Sequence, residues 1–270
     1  MHFAICNEIF QEWKWDDIIS FSAKTGYTGI EVAPFTLAAA ATDISISERN
    51  KLRDAVLKHQ LKIVGLHWLL VKPGGLHINH PDSAVRSRTG RYFCDLVDLC
   101  ADLGGSIMVI GSPKQRNVPP GVSQAQAREW SAGVLRDAVK LAEDRGVTLC
   151  LEPLSPAETN FINTAAEAIE FTRQFNSPNF KIILDVKAMC SEARPIPQII
   201  RESWPHFAHF HANDKNLKGP GFGDVDFQPI AAALREVGYN GFVSVEVFKF
   251  DEGAETIARK SYEYLKRVFG

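Results

Sequence analysis

Eight short apolar or β-branched runs alternate along the chain with longer amphipathic windows, and this alternation restricts the fold more than any other feature. The runs are His2–Cys6, Gly29–Val32, Lys62–His67, Ser106–Ile110, Val147–Glu152, Lys181–Asp185, Phe207–His211 and Phe242–Val247. Most are near-continuous, as in strands of a parallel sheet covered on both faces. Between them apolar residues recur at helical spacing. Phe93, Leu96, Val97 and Cys100 stand at i, i+3, i+4 and i+7, and Val134, Ala138, Leu141 and Ala142 form a similar stripe. Ser123-x-x-Gln126 and Thr164-x-x-Glu167 have the spacing of helix starts, while Gly26, Gly104, Gly146 and Gly238 stand where helices stop. Eight βα units in 270 residues predict one α/β domain over residues 1–270, a closed (β/α)8 TIM barrel. The competing arrangement, an open doubly wound sheet, ordinarily shows a glycine-rich phosphate loop after its first strand. The loop here reads Asn7-Glu8-Ile9-Phe10.

Charge and composition exclude several classes of function. Lys and Arg number 30 against 32 for Asp and Glu, so the chain lacks the bulk positive charge that holds proteins on nucleic-acid backbones. The start of the chain has no basic segment leading into a long apolar run, and no later stretch approaches the roughly 20 apolar residues that span a bilayer. A soluble, cytoplasmic protein with neither nucleic-acid nor membrane partners is expected. The cysteines, Cys6, Cys94, Cys100, Cys150 and Cys190, are scattered without a C-x-x-C pair and read as reduced thiols, mostly small buried hydrophobes.

In a barrel of this kind the chemistry gathers where the strands end, because the βα loops converge there. The strand ends carry Asn7 and Glu8, then Glu31, His67, Gly111 with Ser112, Glu152, Asp185, His211 and Glu246. Strands five to eight thus finish in four potential ligands. Three carboxylates brought together in an apolar mouth raise one another's pKa unless a cation neutralises them. Oxygen-rich ligation with one imidazole suits Mn²⁺, Mg²⁺ or Co²⁺ better than a structural zinc. Four protein ligands on an octahedral ion leave two positions for adjacent oxygens of a polyol or hydroxyketone.

Several segments carry a resemblance. Leu151-Glu152-Pro153-Leu154, Glu158-Thr159-Asn160 with Asn163-Thr164-Ala165, Leu184-Asp185, His209-Phe210-His211, Gly221-x-Gly223-x-Val225-Asp226-Phe227 and Val245-Glu246 resemble the sugar phosphate isomerase/epimerase group of the xylose isomerase-like barrels. In order and spacing they are most similar to the ketose 3-epimerases, D-tagatose 3-epimerases included. The resemblance implies one Mn²⁺-type ion on Glu152, Asp185, His211 and Glu246. It also implies that Glu152 and Glu246 act as acid and base on opposite faces of a substrate carbon, through a metal-stabilised enediolate. Glu158 would contact substrate hydroxyls, the substrate would be a small carbohydrate, and the protein would form a homo-oligomer.

Two family features are missing. Ala188 stands where those enzymes have a histidine three residues after the aspartate ligand, and Asn213-Asp214-Lys215-Asn216-Leu217-Lys218 lacks the arginine expected after the ligand histidine. Lys187, with Lys215 or Lys218, is the replacement at hand, without imidazole or guanidinium geometry. A free ketohexose therefore lacks two of its usual contacts. Lys187 and Arg116 on the rim, with Lys114, are candidate holders of a phosphate or carboxylate, and His67 is a candidate substrate contact with Trp68 beside it. Asp226 reads as a helix cap.

Three other functions compete for the same residues. A metal-dependent lyase or dehydratase acting on a keto-sugar or keto-inositol would share the first proton abstraction. An endonuclease IV-like repair enzyme shares the barrel, yet Ala188 and Asp226 stand where its extra metal-binding histidines belong. A binding barrel that had lost its chemistry would not be expected to keep the four ligands and Glu158 together.

Overall fold

Strands form where β-branched and apolar residues run uninterrupted, and in the computed structural model, which describes residues 1–270, they do so as expected. They are β1 (His2–Cys6), β2 (Gly29–Val32), β3 (Lys62–Leu66), β4 (Ile107–Ile110), β5 (Thr148–Leu151), β6 (Phe180–Asp185), β7 (Phe207–Ala212) and β8 (Phe242–Val245). Each pairs in parallel with the next, and β8 pairs with β1, closing the barrel in sequence order. Three strands stop one or two residues earlier than the sequence suggests, before His67, Glu152 and Glu246. Those residues still donate their amides to the neighbouring strand, at Val32 O (3.0 Å), Ile110 O (3.1 Å) and Ala212 O (3.3 Å). They are rooted in the sheet although their side chains belong to the mouth.

Helices α1 (Trp15–Thr25), α2 (Ile46–Lys58), α3 (Ser83–Asp102), α4 (Gln124–Arg145) and α5 (Ala165–Arg173) follow β1 to β5. A single short turn, α6 (Val186–Met189), precedes α7 (Ile196–Ser203), and α8 (Gln228–Glu236) and α9 (Ala254–Phe269) complete the ring. The start signals hold in different degrees. Thr164 and Glu167 make both halves of a capping box on α5, whereas Ser123 caps α4 but Gln126 turns its side chain to Glu129. Gly26 ends α1 at φ 111° and Gly146 ends α4 at φ 67°, left-handed conformations that side chains with a Cβ resist.

Period-2 alternation assigns the two faces of the barrel. Met108 and Ile110, Leu149 and Leu151, and Ile182 and Leu184 point outward into the main core of 67 buried residues shared with the helices. The residues between them, Val109, Cys150 and Ile183, form a separate cluster inside the barrel. One step further toward the mouth the same parity turns Gly111, Glu152 and Asp185 inward. No helix is long and apolar enough to cross a membrane.

Candidate functional site

The parity that fills the barrel interior also assembles the mouth. Donor atoms of Glu152, Asp185, His211 and Glu246 lie within 4.8 Å of one another, and all four residues are buried. Asp185, His211 and Glu246 are anchored by hydrogen bonds. Asp185 Oδ1 accepts from Ala188 N (2.7 Å), the first turn of α6, and Oδ2 accepts from Asn213 Nδ2 (2.5 Å). His211 Nδ1 faces Glu246 Oε2 at 3.1 Å, while Nε2 faces Glu31 Oε1 at 3.0 Å. In the tautomer that donates Nε2–H to Glu31, the Nδ1 lone pair points into the cluster. That carboxylate–imidazole pairing is the usual way a ligand histidine is oriented. Glu152 fits because residue 111 is glycine: a Cβ there would stand 2.2 Å from Glu152 Oε2.

Electrostatics show what the cluster lacks. Burial, then the carboxylates of Glu246 and Asp185, push Glu152 up to about 8. Burial likewise raises Asp185, with Glu246 adding to it against the opposing Lys187. Glu246 is held low, because His211 and His67 outweigh its burial. A buried pocket that keeps a proton on one of three carboxylates is a place for compensating positive charge. Three carboxylates and one imidazole, whose Nδ1 lies on the cluster side beside Glu246, fit a hard or borderline divalent cation.

Beneath the cluster lies a second row that sequence reasoning did not assign. Glu31, wholly buried, receives His209 Nε2 at 2.9 Å as well as His211, and these two rings hold its carboxyl well below the usual range despite burial. Cys6 lies 3.9 Å from Glu31 Oε2, and burial pushes its thiol well up. The signal was present: His209 and His211 are two apart on one strand and therefore share a face, as Glu31 shares the inward parity of β2.

Glu158 and Lys187 meet at the rim. Lys187 Nζ donates to Glu158 Oε1 at 2.6 Å and sits 4.0 Å over the Phe248 ring, and Ser155 Oγ donates to Glu158 Oε2 at 2.7 Å. Both line the cavity of about 70 Å³ over the cluster, together with His67, Trp68, Glu152 and Glu246. His67 lies between two carboxylates, with Nε2 2.9 Å from Glu8 Oε2 and Nδ1 3.4 Å from Glu246 Oε1, in directions that miss hydrogen-bond alignment. Burial works against charge on this ring, and Glu8 and Glu246 overcome it. Trp68 adopts φ 54°, unusual for a bulky residue, and its Nε1 donates to Glu246 Oε1 at 3.1 Å.

Arg116 is a correction. The sequence placed it among candidate substrate contacts, but the residue is 1% exposed and does not line the cavity. Its N–H groups donate to the carbonyls of Ile110, Gly111, Glu152, Phe161 and Ile162. No donor is left for a ligand, and the residue ties the end of β4 to the β5 loop instead. Lys114 is exposed, Lys218 pairs with Glu252, and Ala188 is buried in α6 without a donor to offer. Asp226 is not the N-cap of α8, which is Phe227 without a side-chain bond, but one residue earlier its Oδ1 accepts from Gln228 N (3.0 Å), the first amide of the helix.

Comparison with known proteins gives a consistent result. The family model for the xylose isomerase-like TIM barrel matches residues 19–268. The chain is 30% identical over 244 residues to a D-psicose 3-epimerase of Ruminiclostridium cellulolyticum, covering 88% of this chain and 80% of that one. It is 29% identical over 248 residues to a D-psicose 3-epimerase of Agrobacterium fabrum, covering 88% and 81%. Among solved structures, D-psicose 3-epimerase with D-tagatose from Clostridium cellulolyticum H10 superposes with a TM-score of 0.88 at 23% identity, over 100% of this chain and 99% of that one.

Proposed function

The chain belongs to the xylose isomerase-like TIM barrel family, and from that premise we propose that it is a divalent-metal-dependent sugar epimerase or isomerase, moving a proton next to a carbonyl. As an enzyme it falls with the carbohydrate isomerases its relatives are named for. The observation that carries the reading is the buried set of Glu152, Asp185, His211 and Glu246 with donor atoms within 4.8 Å. These four residues would hold one divalent cation, Mn²⁺ being the best match to three carboxylates and an imidazole. When bound, the cation supplies Lewis acidity, offsetting the negative charge that grows on a carbonyl oxygen as the neighbouring C–H bond is broken.

The chain's own residues do the rest. Glu152 and Glu246 come from non-neighbouring strands, so a sugar carbon lying between them has a carboxylate on each side. One removes the proton as base while the other, protonated, returns one to the opposite face, which inverts the carbon with no net change in atoms. Glu31 fixes the His211 ring. Glu158, braced by Lys187 and Ser155, presents its carboxylate to substrate hydroxyls, and Trp68 holds Glu246 in place from the other side.

Incubation with ketoses, ketose phosphates, keto-inositols and hydroxypyruvate, with Mn²⁺ or with chelator, tests the proposal. Epimeric or isomeric product of unchanged mass, formed only with metal, is expected. A product lighter by one water would favour a dehydratase, and no product from any of them would overturn the reading.

A further inference from the structure

Beside the small cavity over the carboxylate cluster runs a groove of about 680 Å³, walled by the loops that follow β1, β2, β3 and β8. The two spaces share Trp68 and Phe248 in their linings, so they lie side by side. Their sizes differ about tenfold. The inner cavity, about 70 Å³, takes only the reacting end of a sugar, while the groove lies within the roughly 300–1,000 Å³ typical of complete ligand sites. A free ketohexose at the cluster would leave most of that groove to water.

The lining has the chemistry of a sugar-ring subsite. Trp13, Trp68, Phe35 and Phe250 supply flat apolar faces, and Gln11 and Glu12 supply polar groups at the edge. Aromatic faces suit the apolar C–H face of a sugar ring, and amide and carboxylate groups suit its equatorial hydroxyls. Trp13 is fixed by packing against Phe10 and Phe21, with ring centroids 5.4 Å away in each case. Trp68 is held between groove and cluster by its left-handed backbone and its bond to Glu246. These walls are preformed, so a ring stacking on them gains contact area without ordering a loop.

We propose that this groove binds a second sugar ring, making the substrate a glycosyl-ketose whose ketose end reaches the carboxylate cluster. The inference rests on the sugar epimerase or isomerase reading above and names its substrate class. It accords with the absence of the histidine and arginine contacts for a free ketohexose, since a second ring would contribute the missing binding energy.

Calorimetric titration of the Mn²⁺-loaded protein with fructose and with fructose glycosylated at O4, O5 or O6 (lactulose, leucrose and isomaltulose) tests this by binding, apart from turnover. At least one glycosyl-ketose is expected to bind about tenfold tighter than fructose, the effect of one good aromatic contact. Trp13→Ala is expected to remove that gain, and Phe250→Ala, on a separate loop, to reduce it should the first variant not fold. Equal affinity for all four sugars, or a gain that survives both substitutions, would overturn the proposal. Product formation from these sugars separates the two readings: tight glycosyl-ketose binding without product removes the catalytic reading and keeps the groove. Product from fructose with no glycosyl preference does the reverse.

Discussion

At the residue scale the site depends on what is absent as much as on what is present. Gly111 has an ordinary backbone conformation, so alanine is tolerated there except for the contact its methyl would make 2.2 Å from Glu152 Oε2. Gly111→Ala is therefore expected to fold and to lower Mn²⁺ affinity about 10–100-fold, the range seen when a residue that orients a metal ligand is changed. Equilibrium dialysis measures it, and unchanged affinity would show that Glu152 is not a ligand. The cluster of Glu152, Asp185, His211 and Glu246 was legible in the sequence because each member closes an apolar run. Glu31 was not assigned, because one acidic residue in a strand has many structural explanations and only the two histidines facing it single it out. Arg116 was misread for a related reason. A basic residue on a rim loop looks solvated until the loop folds back and the guanidinium meets a row of carbonyls.

At the scale of elements, that same arginine joins β4 to the loop after β5. Burial lowers its pKa to about 10, against the pull of Glu152 and Glu158, so the side chain remains charged at neutral pH. Removing it strands several buried carbonyls, each of which makes a charge-assisted bond. Arg116→Ala is expected to cost about 3 kcal/mol or more, and Arg116→Lys to recover only part, since an ammonium cannot span the same fork. Urea unfolding with far-UV detection would register the loss, and a change below about 0.5 kcal/mol would mean the carbonyls find other partners. Strand positions were readable to within one or two residues because β-branched runs and barrel periodicity agree. The small misses at β3, β5 and β8 fall where ladder amides continue but the chain already turns into the mouth.

At the scale of the whole molecule, a net charge of −2 conceals a strong local imbalance. Glu8, Glu31, Glu152, Asp185 and Glu246 are all buried at one end of the barrel, faced by three imidazoles and by Lys187. If, as proposed, a cation binds there and offsets that concentration, its binding and folding are linked. At a metal concentration a thousand times the dissociation constant, the folded state gains about 4 kcal/mol, which for a chain of this size raises the melting temperature by roughly 8–16 °C. Scanning calorimetry with Mn²⁺ and with chelator would show it, and coincident transitions would argue against a metal centre. The central claim is that Glu152 and Glu246 exchange a proton at a carbon next to a carbonyl, with the cation present. Proton NMR of a converted sugar after incubation with the Mn²⁺-loaded protein in D2O tests it most directly. Deuterium on the inverted carbon of the product, absent when the metal is stripped, is the expected result, and a product formed without solvent deuterium would contradict it.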